Sequence, residues 1–198
     1  MEETKPQLDW IHLPEGVGPV SLWESLHDGE LRAMSSNLLD RTLRMEFDVG
    51  YLIDFHGLAE ELTFIMFLQG VRSVRVVRWA AWPGGCSIPP GATALEQEKL
   101  VADYHAKWRE ESESWNTFVA SIAGGDFEVS DATLVADDRE LALKLGLMQD
   151  SSYFQVFVRA EKLAVSLSDG QPLSLAEFHR LGNEYWEAFA KRSADRGK

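Results

Sequence analysis

The chain has 198 residues, enough for one domain with a sizeable core, and 45% of them are hydrophobic and 26% charged, as in globular proteins. Seven Trp and ten Phe exclude a disordered chain, which would contain fewer aromatic residues. The formal net charge is -13. Because a field of that sign repels phosphate groups, we expect neither a nucleic acid nor an anionic membrane as partner, and it favours basic proteins or cations. The general alternative is that the charge serves solubility alone.

The location of the protein is predicted from its single cysteine, Cys86, and from its apolar stretches. One cysteine allows no internal disulfide, which is typical of a reducing compartment. The first six residues show neither a basic region nor an apolar region of a secretion signal. The longest apolar stretches, such as 62–68, are far below the roughly 20 residues of a membrane span. We therefore expect a cytoplasmic protein.

The first 25 residues contain five helix- and strand-breaking residues and predict an irregular N-terminal arm. Three apolar residues of the arm are expected to dock onto the domain: Trp10, Ile11 and Leu13.

Four strands are predicted after the arm. The second of them alternates apolar and polar side chains, which indicates one buried and one wet face. The third is nearly continuously apolar, which is typical of a strand covered on both faces. The four predicted strands are Glu30–Ser35, Thr42–Val49, Leu62–Gln69 and Val71–Trp79.

A long amphipathic helix is predicted next, over residues 93–123. Thr93 and Glu96 match the capping box that begins a helix, and Gly124-Gly125 would end it. Apolar and aromatic residues recur between these points at near-helical spacing, so this face is expected to lie on the sheet.

A second set of four strands is predicted before a second amphipathic helix. That helix begins with another capping box at Ser174 and Glu177, and residues 193–198 are expected to fray. The four strands are Phe127–Leu134, Glu140–Met148, Tyr153–Arg159 and Lys162–Leu167.

The predicted fold class is therefore α+β, with antiparallel β-meanders and two amphipathic helices packed on the sheet, forming a single domain over residues 26–192. The two strand sets resemble each other, which suggests an internal duplication of residues 26–123 and 126–192. Two similar four-strand-plus-helix units would then form one body. The alternative is the general likeness of any one β-meander to another.

No catalytic signature is present in the sequence. It lacks the G-x-S-x-G, P-loop, H-E-x-x-H and C-x-x-C patterns. We therefore predict no catalytic residues, no metal and no cofactor, and we favour a protein that is not an enzyme.

Two short segments hold the candidate binding residues. His27, Asp28 and Glu30 place an imidazole and two carboxylates at a strand start, where they would bind a cation, form an acid–base pair or contact a ligand or partner. The alternative is that Asp28-Gly29 is simply a turn.

The second segment is the apolar loop 79–91, which is long for a connection and carries Trp79, Trp82 and Cys86. Two Trp rings would form a binding platform. The alternative is a rigid Pro/Gly segment that seals one end of the core.

The segments Leu26–Leu31 and Arg41–Met45 resemble the opening of small bacterial β-meander proteins of unknown function, some of which are grouped with immunity proteins of contact-dependent toxin systems. The resemblance covers residues 26–79. It implies a protein that is not an enzyme and that occludes a toxin's site, often with an acidic face against a basic nuclease.

Three hypotheses about function follow. The leading one is a non-catalytic bacterial binding protein that engages a protein partner, expected to be basic, through an acidic surface. The second is a small-molecule-binding protein or enzyme with a pocket near the 79–91 loop. The third is a structural subunit of a homo-oligomer, with the strand near Val71 at an edge.

Overall fold

A computed structural model describes residues 8–13, 18–80, 88–105, 109–137, 140–149 and 152–196. Two of the predicted site residues, Trp82 and Cys86, lie outside the described residues.

The fold is α+β with antiparallel β-meanders, as predicted. Both strand sets belong to one continuous sheet, a point that the sequence left open. The described residues form eleven strands and five helices. The strands are β1 (Val20–Ser21), β2 (Glu30–Asn37), β3 (Thr42–Asp48), β4 (Phe64–Gln69), β5 (Ser73–Ala80), β6 (Arg109–Glu113), β7 (Glu128–Asp137), β8 (Glu140–Gln149), β9 (Ser152–Ala160), β10 (Lys162–Leu167) and β11 (Pro172–Leu173). The helices are α1 (Trp23–Leu26), α2 (Gly50–Phe55), α3 (Ala94–His105), α4 (Trp115–Ile122) and α5 (Leu175–Arg196).

The strand order is symmetric about the central β2–β7 pair. It runs β11-β10-β4-β3-β2-β7-β8-β9-β5-β6, and β1 pairs with β7 beside this path. The meander β2-β3-β4 is extended by β10 from the second strand set, whereas β7-β8-β9 is extended by β5 from the first. The two strand sets thus exchange their fourth strands, and neither could form its part of the sheet alone.

Local details repeat the same symmetry. Across the β2–β7 pair, Leu31 N donates to Phe127 O at 2.8 Å and Val129 N donates to Gly29 O at 2.7 Å. The register of β2 against β3 shifts just after Leu31, and that of β7 against β8 shifts just after Val129. The internal duplication stays a prediction, and these equivalent positions are what it would produce.

Helices α4 and α5 begin in the same way and cover equivalent parts of the core. Ser114 and Ser174 each accept a hydrogen bond from a backbone N–H three residues on, both at 3.1 Å. One residue further on, each helix buries a phenylalanine: the Phe118 ring lies 5.6 Å from that of Phe154, and Phe178 lies 5.4 Å from Phe64. Burying one such side chain contributes about 1.5–3 kcal/mol, which fixes both helices on the sheet.

The single helix predicted over residues 93–123 is wrong. The chain forms α3, then strand β6, then α4. Thr93 and Glu96 do cap α3 as expected, with Thr93 N donating to Glu96 Oε2 at 2.9 Å. The helix is interrupted because residues 109–113 pair with β5, and this pairing satisfies backbone groups of β5 that would otherwise lie at an open edge.

The described residues near both ends of the chain contain more regular structure than the composition indicates. The predicted irregular arm holds β1 and α1, and Trp10 forms a β-bridge with Ala164. Helix α5 extends to Arg196, so residues 193–196 are helical where a frayed tail was expected.

Helices α1 and α5 pack unusually closely. A Cβ atom added to Gly182 of α5 would lie 2.5 Å from the carbonyl carbon of Glu24 and 2.8 Å from Ser25 N in α1. The buried Ser25 Oγ donates to Phe178 O at 2.8 Å and joins the two backbones. Two small residues therefore allow the contact that brings the aromatic rings of α1 and α5 together.

Candidate partner-binding surface

The predicted site residues lie in two separate places. His27, Asp28 and Glu30 lie between α1 and the start of β2, whereas Trp79 lies half-buried on β5. Three strands, β7, β8 and β9, separate β2 from β5 in the sheet. Among the described residues, no hydrogen bond or ring contact joins Trp79 to His27 or Asp28.

His27 belongs to an aromatic cluster that covers the junction of α1, α2 and α5. Its ring stacks on Trp23 with centroids 4.3 Å apart, and Trp23 in turn stacks on Trp186 of α5 at 5.1 Å. We call the full set the aromatic cluster: Trp23, His27, Tyr51, Phe55, Tyr185, Trp186 and Phe189.

The residues of α2 extend the aromatic cluster to the protein surface. Tyr51 lies 4.4 Å from Tyr185, and Phe55 meets Tyr185 edge-on at 5.6 Å. Phe55 is 40% exposed and Phe189 is 46% exposed. The rings of both phenylalanines are thus partly exposed to solvent, although phenylalanine side chains are usually buried.

The polar tips of two rings fix the aromatic cluster in place. Tyr51 Oη donates to His27 O at 2.6 Å, and Trp186 Nε1 donates to Glu24 O at 2.9 Å. Burial raises the pKa of the Tyr51 hydroxyl above its usual range, and the nearby Asp28 carboxylate raises that pKa further. The hydroxyl therefore stays neutral and remains a donor at ordinary pH.

His27 and Asp28 form a turn at the edge of the aromatic cluster. His27 Nε2 lies 3.1 Å from Asp28 Oδ1, and the Asp28 side chain is 52% exposed. Asp28 has a φ of 61°, a left-handed conformation that Asp tolerates, and its N–H donates to Val129 O at 3.1 Å. The turn hypothesis therefore explains the backbone, while the carboxylate still faces solvent beside the rings.

Glu30 lies in a second, adjoining group that surrounds Arg32. Arg32 Nη2 is 2.8 Å from Glu30 Oε2 and 3.1 Å from Asp48 Oδ2. The hydrogen bonds that Arg32 donates to Asp48 raise the pKa of Arg32, and the charges of Glu30, Asp48 and Asp126 raise it further. We call these four residues the Arg32 cluster. Three carboxylates surround one cation, so the cluster keeps a negative charge.

The arrangement provides contact surface and charge, with no visible set of metal ligands. Within the described parts of the chain, no group of three or more His, Cys, Asp or Glu side chains is placed to hold a metal ion. His56 illustrates the structural use of such groups: its Nε2 donates to Leu181 O at 2.9 Å and ties α2 to α5.

Sequence reasoning missed most of the aromatic cluster. Trp23 and His27 are four residues apart, as are Tyr185 and Phe189, and this spacing places side chains on one helix face. The four-residue spacing of Trp23 and His27 was present in the sequence. A helix of only four residues in a segment rich in Pro and Gly is too short to show a periodic pattern, so α1 was not predicted. Tyr51 and Phe55 have the same spacing on α2, which was not predicted either.

Comparisons with known proteins give no relative: no family model, no curated protein and no solved structure matches the chain. In the described parts of the chain, no helix combines the length and the apolar character needed to span a membrane.

Proposed function

We propose that this is a non-catalytic binding protein, immunity-like in its mode of action, that engages a basic protein partner through an acidic surface. The surface consists of the aromatic cluster and the adjoining Arg32 cluster. The observation that carries the proposal is the presence of two exposed phenylalanines in a fixed set of seven rings with exposed carboxylates around them.

The aromatic cluster has the composition of an interface centre. Tyr, Trp and Phe are enriched in protein interfaces, where they supply large rigid contact areas at a low cost in conformational entropy. Here the rings are held by packing and by the hydrogen bonds of Tyr51 and Trp186, so little ordering remains to be done on binding.

The charge around the rings favours a basic partner. Asp28 and Glu184 are about half exposed at the cluster, and Asp54 and Glu187 are exposed beside Phe55 and Trp186. Lysine or arginine side chains of a partner would pair with these carboxylates and lie over the ring faces. A net charge of -13 would add long-range attraction to such a partner.

The alternative of a pocket near the 79–91 loop has less support in the described residues. Trp79 is a residue of β5 that pairs with Tyr153 of β9 on one side and with Glu110 of β6 on the other. These contacts give Trp79 a place in the sheet, and Trp82 and Cys86 lie outside the described residues.

The proposal is tested by affinity purification from the cells that produce the protein, with wild type and variants as bait. Phe55→Ser with Phe189→Ser removes the exposed rings, and Asp28→Asn with Glu184→Gln removes exposed carboxylates. We expect a basic protein to copurify with wild type and to bind each double variant at least about tenfold more weakly, because interface centres carry most of the binding energy.

The matched control is Glu110→Gln with Glu111→Gln on the exposed strand β6, which removes two charges from a strand that carries no member of the aromatic cluster. This variant should retain the partner. Equal recovery of the partner by all variants, or a partner that is acidic, would refute the proposal.

A further inference from the structure

A second candidate interface lies at the tip of the β2–β3 hairpin, away from the aromatic cluster. The four turn residues 38–41 include two leucines, and Leu38 is 86% and Leu39 95% exposed. Turns at the protein surface usually carry polar residues or glycine and proline, because their side chains remain in water. Two almost fully exposed leucines in one turn therefore call for a partner surface.

The turn is rigidly built, so the leucines are held outward. Asn37 Oδ1 accepts hydrogen bonds from Leu39 N at 3.0 Å and Asp40 N at 3.3 Å, and Asn37 Nδ2 donates to Asp40 Oδ2 at 2.6 Å. Arg41 follows in a left-handed conformation with a φ of 52°. Its Nε and Nη2 donate to Val71 O at 3.2 Å and Gly70 O at 3.1 Å, which anchors the tip to the β4–β5 turn.

A groove of about 280 Å³ lies directly beside this tip. Leu43, Val74 and Trp115 are among the apolar residues that line it, and Arg41 and Arg72 lie among its polar residues. Leu38 itself lines the groove. An apolar floor beside two guanidinium groups fits an apolar ligand that carries an anionic group next to it.

We propose that the occupant is the hairpin tip of a second copy of this chain. The tip sequence Leu38-Leu39-Asp40 presents two apolar side chains followed by a carboxylate, which is the chemistry that the groove would accept. Because tip and groove adjoin in one chain, a two-fold axis beside the hairpin places each tip in the other copy's groove. The result is a closed, isologous dimer.

The two arginines at the groove already pair with carboxylates of their own chain, and their remaining N–H donors are what the occupant would use. Arg41 Nη2 lies 3.3 Å from Glu161 Oε1, and Arg72 pairs with Glu140 and Glu161. A guanidinium carries five N–H donors, so the two arginines can also donate hydrogen bonds to the Asp40 carboxylate of the second copy. The sheet edges are poorer dimer sites: β6 carries three carboxylates, β11 has two residues, and β5, expected at an edge, lies between β9 and β6.

The test is analytical ultracentrifugation over a range of protein concentrations. Wild type should shift towards twice its chain mass of 22.3 kDa as concentration rises. Leu38→Ser with Leu39→Ser should raise the dimer dissociation constant at least about tenfold. Ser36→Glu should do the same, because the new carboxylate in the groove would repel the Asp40 carboxylate of the second copy. The control Leu95→Ser removes another exposed leucine, on α3, and should change nothing.

Disulfide trapping then distinguishes the arrangement of the two copies. In a Cys86→Ser background, Leu39→Cys chains mixed with Ser73→Cys chains should form the mixed disulfide between tip and groove. A 39–39 disulfide alone, a monomer at every concentration, or a dimer unaffected by the tip variant would overturn the proposal. A monomer that retains a small molecule in native mass spectrometry would overturn it as well, in favour of a small ligand in the groove.

Discussion

At the scale of single residues, the proposed partner-binding surface depends on aromatic side chains that carry one polar group. Tyr51 packs against Tyr185 and Trp186, yet its hydroxyl reaches the His27 carbonyl. Trp186 joins the rings of α1 and α5 and also bonds to Glu24 O. Such residues give a fixed position to an exposed surface, because the polar contact selects one orientation of the ring.

Tyr51 makes the free energy of unfolding decrease as the pH rises into the alkaline range. Its folded-state pKa is raised, so the stabilisation is complete below the unfolded pKa of about 10 and is lost as the pH rises above that value. Tyr51→Phe should lower the free energy of unfolding by about 1 kcal/mol at neutral pH, because the bond to His27 O is lost. It should also flatten the decline above pH about 10.

Urea unfolding measured from neutral to alkaline pH checks this prediction. Tyr153→Phe, on β9, is the control, since it removes a tyrosine outside the aromatic cluster. An unchanged alkaline slope in Tyr51→Phe would show that the Tyr51 hydroxyl ionises freely in the folded protein.

At the scale of elements, the longer strands and the starts of α3 and α5 follow from local sequence, whereas α1, α2 and the division of the predicted long helix do not. Alternation in residues 42–48 and 140–149 predicts β3 and β8 because one face of each strand is buried. The aromatic stripe over 93–123 is divided between α3 and α4 because β6 pairs with β5, a contact that depends on distant sequence. Only His27, Asp28 and Glu30 of the candidate surface were predicted, because its rings meet through the packing of α5 on α1.

The contact between α1 and α5 is the element-level feature on which the aromatic cluster depends. Gly182→Ala would place a Cβ against the backbone of Glu24 and Ser25. An alanine ordinarily stabilises a helix interior by up to about 1 kcal/mol relative to glycine. Overpacking costs about 1–3 kcal/mol, so we expect a net loss of stability and weaker near-ultraviolet circular dichroism from the stacked Trp23 and Trp186.

Thermal or urea unfolding and circular dichroism measure both effects. The control is Gly18→Ala, since an added Cβ there has no neighbour within 4 Å. A Gly182→Ala protein that is as stable as wild type with the same aromatic signal would show that α5 moves away from α1 at no cost.

At the scale of the whole molecule, the exchanged strands join both strand sets in one sheet, and the molecule carries two candidate surfaces. Strands β10 and β5 each complete the meander of the other strand set, so neither set can separate from the sheet. The aromatic cluster lies on α1, α2 and α5, and the hairpin groove lies between β2–β3, the start of β5 and α4. A partner at one surface therefore leaves the other free for a second copy of the chain.

Hydrogen–deuterium exchange of the protein, alone and with its copurified partner, tests the central claim most directly. We predict that the partner slows exchange in residues 23–31, 50–56 and 184–190, the segments that carry the aromatic cluster and Glu30. Exchange in residues 73–80 and 94–105 should stay unchanged. Protection confined to β5 and α3 would place the partner near the 79–91 loop and contradict the account.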